Sequence, residues 1–513
     1  MCIIFVDQSK ENLKVETRYD LDKRKSITTN FIFNFIKTLA AILFPILTFA
    51  YSSRVLGAEG IGKVNFAKSV ISYFSMFAAM GMNYYGTREA AKVRDNKKSL
   101  SKFVHEMLLI NGCTTILSYV GLVFAIAYVA KLKDYSVLLI INSFSILMMG
   151  LGMDWLYQAL EEYKYIALRS MLFQGIALII MFITVRDSGD VVNYTIVSVI
   201  ASSGSYILNF FKSKDYVDFH WYGNYKIQKH LKQIALLFAL ALSIELYTVL
   251  DSTMLGFICG DNTVGLYSAA IKINKIANTL ITSLGVVLIP RLSYYIGKGA
   301  TKEFEQLMKK AYNFVFMLSV PVCIGLFVLS DDIIYVFCGS GFETAGFTMR
   351  ILTPIVLVIP FSVVTNQQTF VPMGKEKLIL LSTCAGAVTN FTFNLLLIPK
   401  YEENGAAIAT VLAETIVALI CFINAKRCFQ LKAIFREYYQ YWIAALPIVL
   451  IGICTNRWQT NYVVKMAGCI VLVVPVYFLI LGFFHNSNIT EMKQIIKRKI
   501  GNKFNLSDGQ KGE

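Results

Sequence analysis

The sequence predicts an all-α polytopic membrane protein of about 14 transmembrane helices, arranged as two parallel-repeat six-helix bundles plus two extra C-terminal helices. Three observations lead there. Apolar runs of roughly 20 residues, the length that spans a bilayer, recur from Phe31 almost to the C-terminus. The short connectors between them alternate between basic and non-basic. A glycine-containing hairpin at 53–92 returns in degraded form about 200 residues later.

Composition supports the first observation. Of the residues, 56% are hydrophobic and 16% charged, with a mean hydropathy of +0.56. Soluble domains carry about 25% charged residues. At 1.5 Å per residue a 20-residue helix covers about 30 Å, the hydrocarbon core of a bilayer. In chain order the expected spans are 30–52, 64–85, 104–129, 135–158, 165–185, 191–211, 233–257, 264–289, 311–329, 346–370, 378–398, 405–424, 438–456 and 463–484. They divide the chain into a cytoplasmic tail (1–27), a first six-helix bundle (28–212), a cytoplasmic linker (213–232), a second six-helix bundle (233–425), two additional transmembrane helices (436–484) and a cytoplasmic tail (485–513).

The net charge of +16 does not point to nucleic acid, because Lys and Arg sit in alternate connectors. Arg88, Lys92, Arg94, Lys97 and Lys98 fill the second connector, whereas 260–263 and 330–345 contain no Lys or Arg. By the positive-inside rule the basic set and both termini are cytoplasmic. The ten Cys are scattered, mostly in apolar runs, and the four His lack metal-ligand spacing, so neither a metal nor a cofactor is expected. No connector exceeds about 25 residues, too short for the large outer loop of a membrane glycosyltransferase or polymerase. The expectation is a protein that is not an enzyme and that works inside its helix bundle.

The repeat is read from three matched anchors. Leu56-Gly57 matches Leu255-Gly256, Ile61-Gly62 matches Val264-Gly265 with a turn four residues longer in the second copy, and Arg88 matches Arg291. An even number of spans separates the copies, so both insert the same way up, as in transporters whose path runs between parallel repeats.

The stretch SRVLGAEGIGKVNFAKSVISYFSMFAAMGMNYYGTREAAK, with its counterpart LDSTMLGFICGDNTVGLYSAAIKI and VLIPRLSYY, resembles the Wzx-type polysaccharide flippases of the MATE-like (multidrug/oligosaccharidyl-lipid/polysaccharide) exporter superfamily. The resemblance covers roughly 28–484. It implies a V-shaped pair of bundles alternating between inward-open and outward-open states in the bacterial cytoplasmic membrane. It also implies a substrate of oligosaccharide on undecaprenyl pyrophosphate, for capsule, O-antigen or exopolysaccharide synthesis, with polysaccharide polymerase and co-polymerase proteins as working partners. The alternative is a cation-coupled multidrug or small-molecule antiporter of the same fold.

Ionisable groups inside spans are costly and usually face the bundle interior. The candidate substrate-binding cations are Lys37, Arg54, Lys68, Lys272, Lys275 and Arg350. Lys272 and Lys275 share a helix face roughly 13–18 Å from the outer end of their span. Lys68, carried over by the repeat, falls one residue from Lys272. Such cations would compensate a pyrophosphate. The competing reading is snorkelling to the headgroups, strongest for Lys37, Lys68 and Arg54. The candidate ion-coupling acids are Glu245, Asp251 and Glu414; Glu245 and Glu414 are the deepest, and a salt bridge to a neighbouring Lys is the alternative role. Asp154 reads as interfacial, and Arg88 and Arg291 as membrane-border anchors or parts of an inner gate.

Overall fold

A computed structural model describes residues 27–283, 285–428, 437–456 and 461–490, and every regular element among them is helical. The predicted tails lie mostly outside the described residues. Helix α1, Ile27–Ala79, bends at Gly57 into arms that carry the first two predicted spans. It is followed by α2 (Met82–Val93), α3 (Lys97–Tyr128), α4 (Ser136–Gly152), α5 (Tyr163–Thr184) and α6 (Val191–Val199), the last continued by a π turn and a short helix to Lys212. The second half runs through α7 (Gln228–Ile258), α8 (Asp261–Thr282), α9 (Thr301–Val328), α10 (Ser330–Cys338), α11 (Ala345–Leu352) and α12 (Ile355–Val364). Helix α13, Glu376–Ala425, turns back at Glu402, and α14 (Tyr438–Asn456) and α15 (Tyr462–Phe483) complete the chain.

All fourteen predicted spans fall on helices. Among the described residues nine helices are long and apolar enough to cross a membrane, one of which, α13, holds two predicted spans. The other four predicted spans lie on α1, α7 and α8. Large apolar side chains such as Ile116, Val123, Phe124, Ile179 and Ile183 point outward with more than half their surface exposed. In water such a surface would be an aggregation site; around a bilayer-spanning bundle it is the lipid face.

The two arms of α1 fold back on one another. Phe49 on the first arm lies 4.2 Å from the Lys272 ammonium, and Lys68 on the second is close enough to repel that same ammonium. On a straight helix residues 49 and 68 would be about 28 Å apart. The reversal uses Gly57 at φ 68° and ψ −178°, a conformation that only glycine enters cheaply. In the second half the same role falls to Gly260, at φ 112° and ψ −174°.

That match corrects the repeat register. Gly57 is equivalent to Gly260 and not to Gly256, which lies within α7. A single offset of 203 residues relates Gly57 to Gly260, Gly62 to Gly265 and Arg88 to Arg291, and it also relates the ends of the two helices, Ala79 and Thr282. The second turn has no four-residue insertion. Leu-Gly pairs at 56–57 and 255–256 matched by chemistry, but backbone conformation pairs the glycines that reverse the chain.

The hairpins are the centre of the molecule: the most extensive helix contact is between α1 and α8. Around α1 pack α3, α4 and α5, and around α8 pack α11, α12 and α13. Helix α7 begins at Gln228, inside the stretch expected to be linker. Its first turns join the first half: His230 is held by the Tyr85 hydroxyl at 2.5 Å and the Glu106 carboxylate at 2.8 Å, and Ile234 packs in the same core as Met82, Phe103 and Trp155. Helices α14 and α15 pack on α9 and α10. The buried ion pair of Lys465 with Asp332, 2.8 Å, ties α15 to α10.

Candidate functional site

Two glycines let α1 and α8 touch backbone to backbone. A Cβ on Gly62 would sit 1.7 Å from the Asp261 carbonyl oxygen, and one on Gly265 would sit 1.9 Å from the Ala58 carbonyl oxygen. The contact is pseudo-symmetric, because Ala58 and Asp261 are themselves related by the 203-residue offset. Further contacts close this end. Lys131 donates to the Gly256 carbonyl, Tyr135 donates to Asp261, and Phe66 fills the space against Tyr135 and Phe257. From the other half, the Val336 carbonyl accepts from Arg54 and the Phe337 carbonyl from Ser53. We call this the turn end, and the opposite end, which carries Arg88 and Arg291, the basic end.

Below the seal lies a cavity of about 380 Å³ lined by Lys68, Glu245 and polar side chains of α1, α4 and α6, reaching Asn83 and Tyr84 at the basic end. Lys68 is exposed to this space although it lies about 15 Å along its helix from Ala58. Lys272 comes from the other half. Its aliphatic stem is half-buried and its ammonium rests on the Phe49 ring, a cation–π contact. Lys68 and Lys272, from the two halves, lie within electrostatic reach of one another. Lys275 lies one turn along α8 from Lys272. Lys275 is exposed on α8 and feels the carboxylates of Asp251, Glu414 and Glu245.

The remaining predicted cations stand apart. Arg54 belongs to the turn-end seal. Arg350 is paired with Asp331 and donates to Ser330 at 2.7 Å, so it serves the packing of α11 on α10. The Lys37 side chain lies outside the described residues. Arg88 donates to Gln233 on α7 at 2.8 Å, and Arg291 to Tyr295 at 2.9 Å. Asp154 is not free at an interface; it pairs with the buried Arg169 and accepts from Asn209.

Among the acids, the most completely built site is at Asp251 and not at the deeper Glu245 or Glu414. The Asp251 carboxylate is 6% exposed. It accepts from Asn390 at 2.9 Å, Asn394 at 2.7 Å, Thr410 at 2.7 Å and the Tyr267 hydroxyl. These donors come from α8 and both arms of α13, so they were invisible until the helices assembled. The one sequence signal is Asn390 and Asn394, four apart in an otherwise apolar span. Asn394 Oδ1 beside them is buried without a hydrogen-bond partner among the described residues. Glu414 is buried on α13 one turn beyond Thr410. Four donors thus satisfy the two Asp251 oxygens, and Asn394 Oδ1 is left as an acceptor beside them. Among the described residues no cluster of His, Cys, Asp and Glu could hold a metal.

Residues 27–296 match the family model "Polysaccharide biosynthesis protein". The chain belongs to that family. Residues 176–478 also match the model "Lipid II flippase MurJ". Among curated relatives, a "Putative O-antigen transporter" of Shigella dysenteriae is 23% identical over 409 residues, covering 79% of this chain and 99% of that one. Among solved structures, a lipid II flippase MurJ in an inward closed conformation superposes with a TM-score of 0.70 at 17% identity, covering 90% of this chain and all of that one. An inward-facing MATE family transporter of the MOP superfamily gives 0.61 at 15% identity, covering 79% and 98%. The chain therefore has the MATE-like exporter fold, and the family match bears out the resemblance read from the hairpin.

Proposed function

We propose that the chain is a flippase that moves undecaprenyl-pyrophosphate-linked oligosaccharide repeat units from the inner to the outer leaflet of the bacterial cytoplasmic membrane by alternating access. The turn end faces outward and both termini are cytoplasmic, a reading supported by the basic connectors. Residues 28–212 and 233–425 are the two moving bundles, and polysaccharide polymerase and co-polymerase proteins take up the product. The observation that carries the reading is the pair Lys68 and Lys272, contributed by different halves, lying below a seal at one end of the molecule. A pyrophosphate headgroup needs such cations, since moving it through low dielectric alone is prohibitive. The relative named for O-antigen transport favours this cargo over a drug. Asp251 is the proposed coupling-cation site, with Glu414 and Glu245 lining the approach to it.

The test is reconstitution. Vesicles containing the purified chain should carry undecaprenyl-pyrophosphate-linked saccharide across the bilayer, read as its protection from an added glycosidase. Vesicles that move a cationic drug against a cation gradient but leave the lipid in place would assign the chain to the antiporter alternative instead.

A further inference from the structure

Between the halves, residues 213–227 form one 3₁₀ turn and then an irregular run, and α3 holds that run along its length. The Asp218 N–H donates to the Ser101 hydroxyl at 2.9 Å, and the Lys226 N–H donates to the Glu106 carboxylate at 2.7 Å. Between these ties the Tyr225 hydroxyl accepts from the Tyr222 N–H at 3.2 Å, which leaves its own proton for His105 Nδ1 at 2.9 Å. The buried His105 ring sits among Phe219, Tyr222 and Tyr225, at 5.9, 6.0 and 5.9 Å between centroids. Ser101, His105 and Glu106 lie within about two turns of one helix. The linker is therefore a fixed part of the first half and not a loose tether.

What it turns outward is aromatic. Trp221 is 69% exposed and Phe219 40%. Phe219 packs on Phe210, 6.2 Å between centroids, and the neighbouring Phe211 is 61% exposed on the same helix face as Ile207. The outward apolar row of the sixth span thus continues past the end of the span into the linker. At that depth a tryptophan keeps its ring in the apolar zone and its N–H in the wet headgroup layer. The charge around it has one sign. Residues 212–232 contain five Lys against two Asp, with no Glu or Arg. Lys214, Lys226 and Lys229 are exposed, whereas the Asp218 carboxylate accepts from the His220 N–H and the Tyr222 hydroxyl, both at 3.0 Å. An aromatic edge at headgroup level, flanked by free ammonium groups, fits anionic phospholipid. A soluble protein partner would need that edge clear of the bilayer, and its continuity with Phe211 sets it level with the end of a span.

We infer that the linker is an interfacial anchor: its aromatic edge sits in the headgroup layer at the basic end, and its lysines gather anionic phospholipid. Because α3 holds the linker and α7 starts from it, the anchor fixes the depth of the first half and of the start of α7, whatever cargo the chain carries.

The experiment uses the full chain in nanodiscs of phosphatidylcholine with a small fraction of phosphatidylglycerol, one lipid or the other brominated high on its acyl chains. The chain has four Trp, so wild-type emission minus that of Trp221→Phe is the emission of Trp221. It should be quenched by brominated lipid and little affected by acrylamide in the water. Brominated phosphatidylglycerol should quench as though enriched about fivefold over its mole fraction, the effect of roughly one lysine at an anionic surface. Lys214→Gln with Lys226→Gln should bring that enrichment down towards the mole fraction and leave quenching by brominated phosphatidylcholine in place, which also reports that the variant is folded. Trp221 emission quenched by acrylamide and not by brominated lipid would put the edge in water, as a surface for a soluble partner, and overturn the anchor. Quenching by the two brominated lipids in simple proportion to their mole fractions, or an enrichment that the glutamines leave intact, would overturn the recognition of anionic lipid.

Discussion

Gly62 and Gly265 occupy equivalent positions on two helices, and each faces the carbonyl that lies four residues before the other. The missing Cβ atoms are what allow α1 and α8 to close, since either would fall within 2 Å of a backbone oxygen at 1.7 and 1.9 Å. Backbone cannot swing aside as a side chain can, so the contact exists fully or the helices part.

Gly62→Ala and Gly265→Ala should therefore each open the turn end, with similar effect because the two sites are related by the repeat. Overpacking of this kind costs about 1–3 kcal/mol, or roughly 5- to 150-fold in the population of the sealed state. The measurement is the reaction of Lys68→Cys with a membrane-impermeant maleimide added from the turn side. Reactivity should rise in both backgrounds; equal protection in all three would mean that the glycine contact does not hold the seal.

The proposed function has Lys68 and Lys272 act on one ligand from two halves. Lys68→Ala and Lys272→Ala should each lower surface polysaccharide about tenfold or more in complemented cells, the loss expected for one charge-assisted contact. The double variant should be little worse than the poorer single one, because residues sharing a ligand do not add. Lys275→Ala, which removes a cation facing Asp251, Glu414 and Glu245, should alter the ion dependence of transport more than its extent. Normal polysaccharide from the Lys68/Lys272 double variant would remove the cationic clamp.

Asp251→Asn keeps shape and removes charge. In vesicles with imposed sodium or proton gradients the wild type should respond to one of them, and Asp251→Asn to neither. Glu245→Gln and Glu414→Gln should keep a response with altered rates. A coupled response in Asp251→Asn that vanishes in Glu414→Gln would move the coupling site one turn along α13.

The Lys465–Asp332 pair predicts a stability effect separate from transport. Both side chains are buried, at 10% and 6% exposure. Removing either alone leaves an uncompensated charge, so Lys465→Ala or Asp332→Ala should destabilise by about 3–5 kcal/mol. Lys465→Met with Asp332→Leu should recover most of it. Thermal unfolding in detergent distinguishes these outcomes; equal melting of single and double variants would show that the pair is solvated in the protein.

Much of this molecule was legible in one dimension. A run of about 20 apolar residues has few alternatives to a membrane helix, because unpaired backbone is excluded from lipid. That is why the apolar runs from Phe31 onward could be placed on helices. The hairpin repeat was legible too, since Gly62, Gly265, Arg88 and Arg291 keep one spacing. Its register at the turn was not: Leu56-Gly57 and Leu255-Gly256 look alike in letters, and only backbone torsions pair Gly57 with Gly260.

By itself the sequence determined the class of protein, the position of its apolar helices, the parallel repeat, the family and the acidic and basic candidates. Tertiary structure alone decided which candidates meet. It set Lys68 within electrostatic reach of Lys272, sent Arg54 to the seal and Arg350 to Asp331, and surrounded Asp251 with donors from α8 and α13. The physical reason is range. Span-forming hydrophobicity is a local property summed along the chain, whereas the partner of a buried charge is set by helix rotation and packing, and those depend on residues more than a hundred positions away.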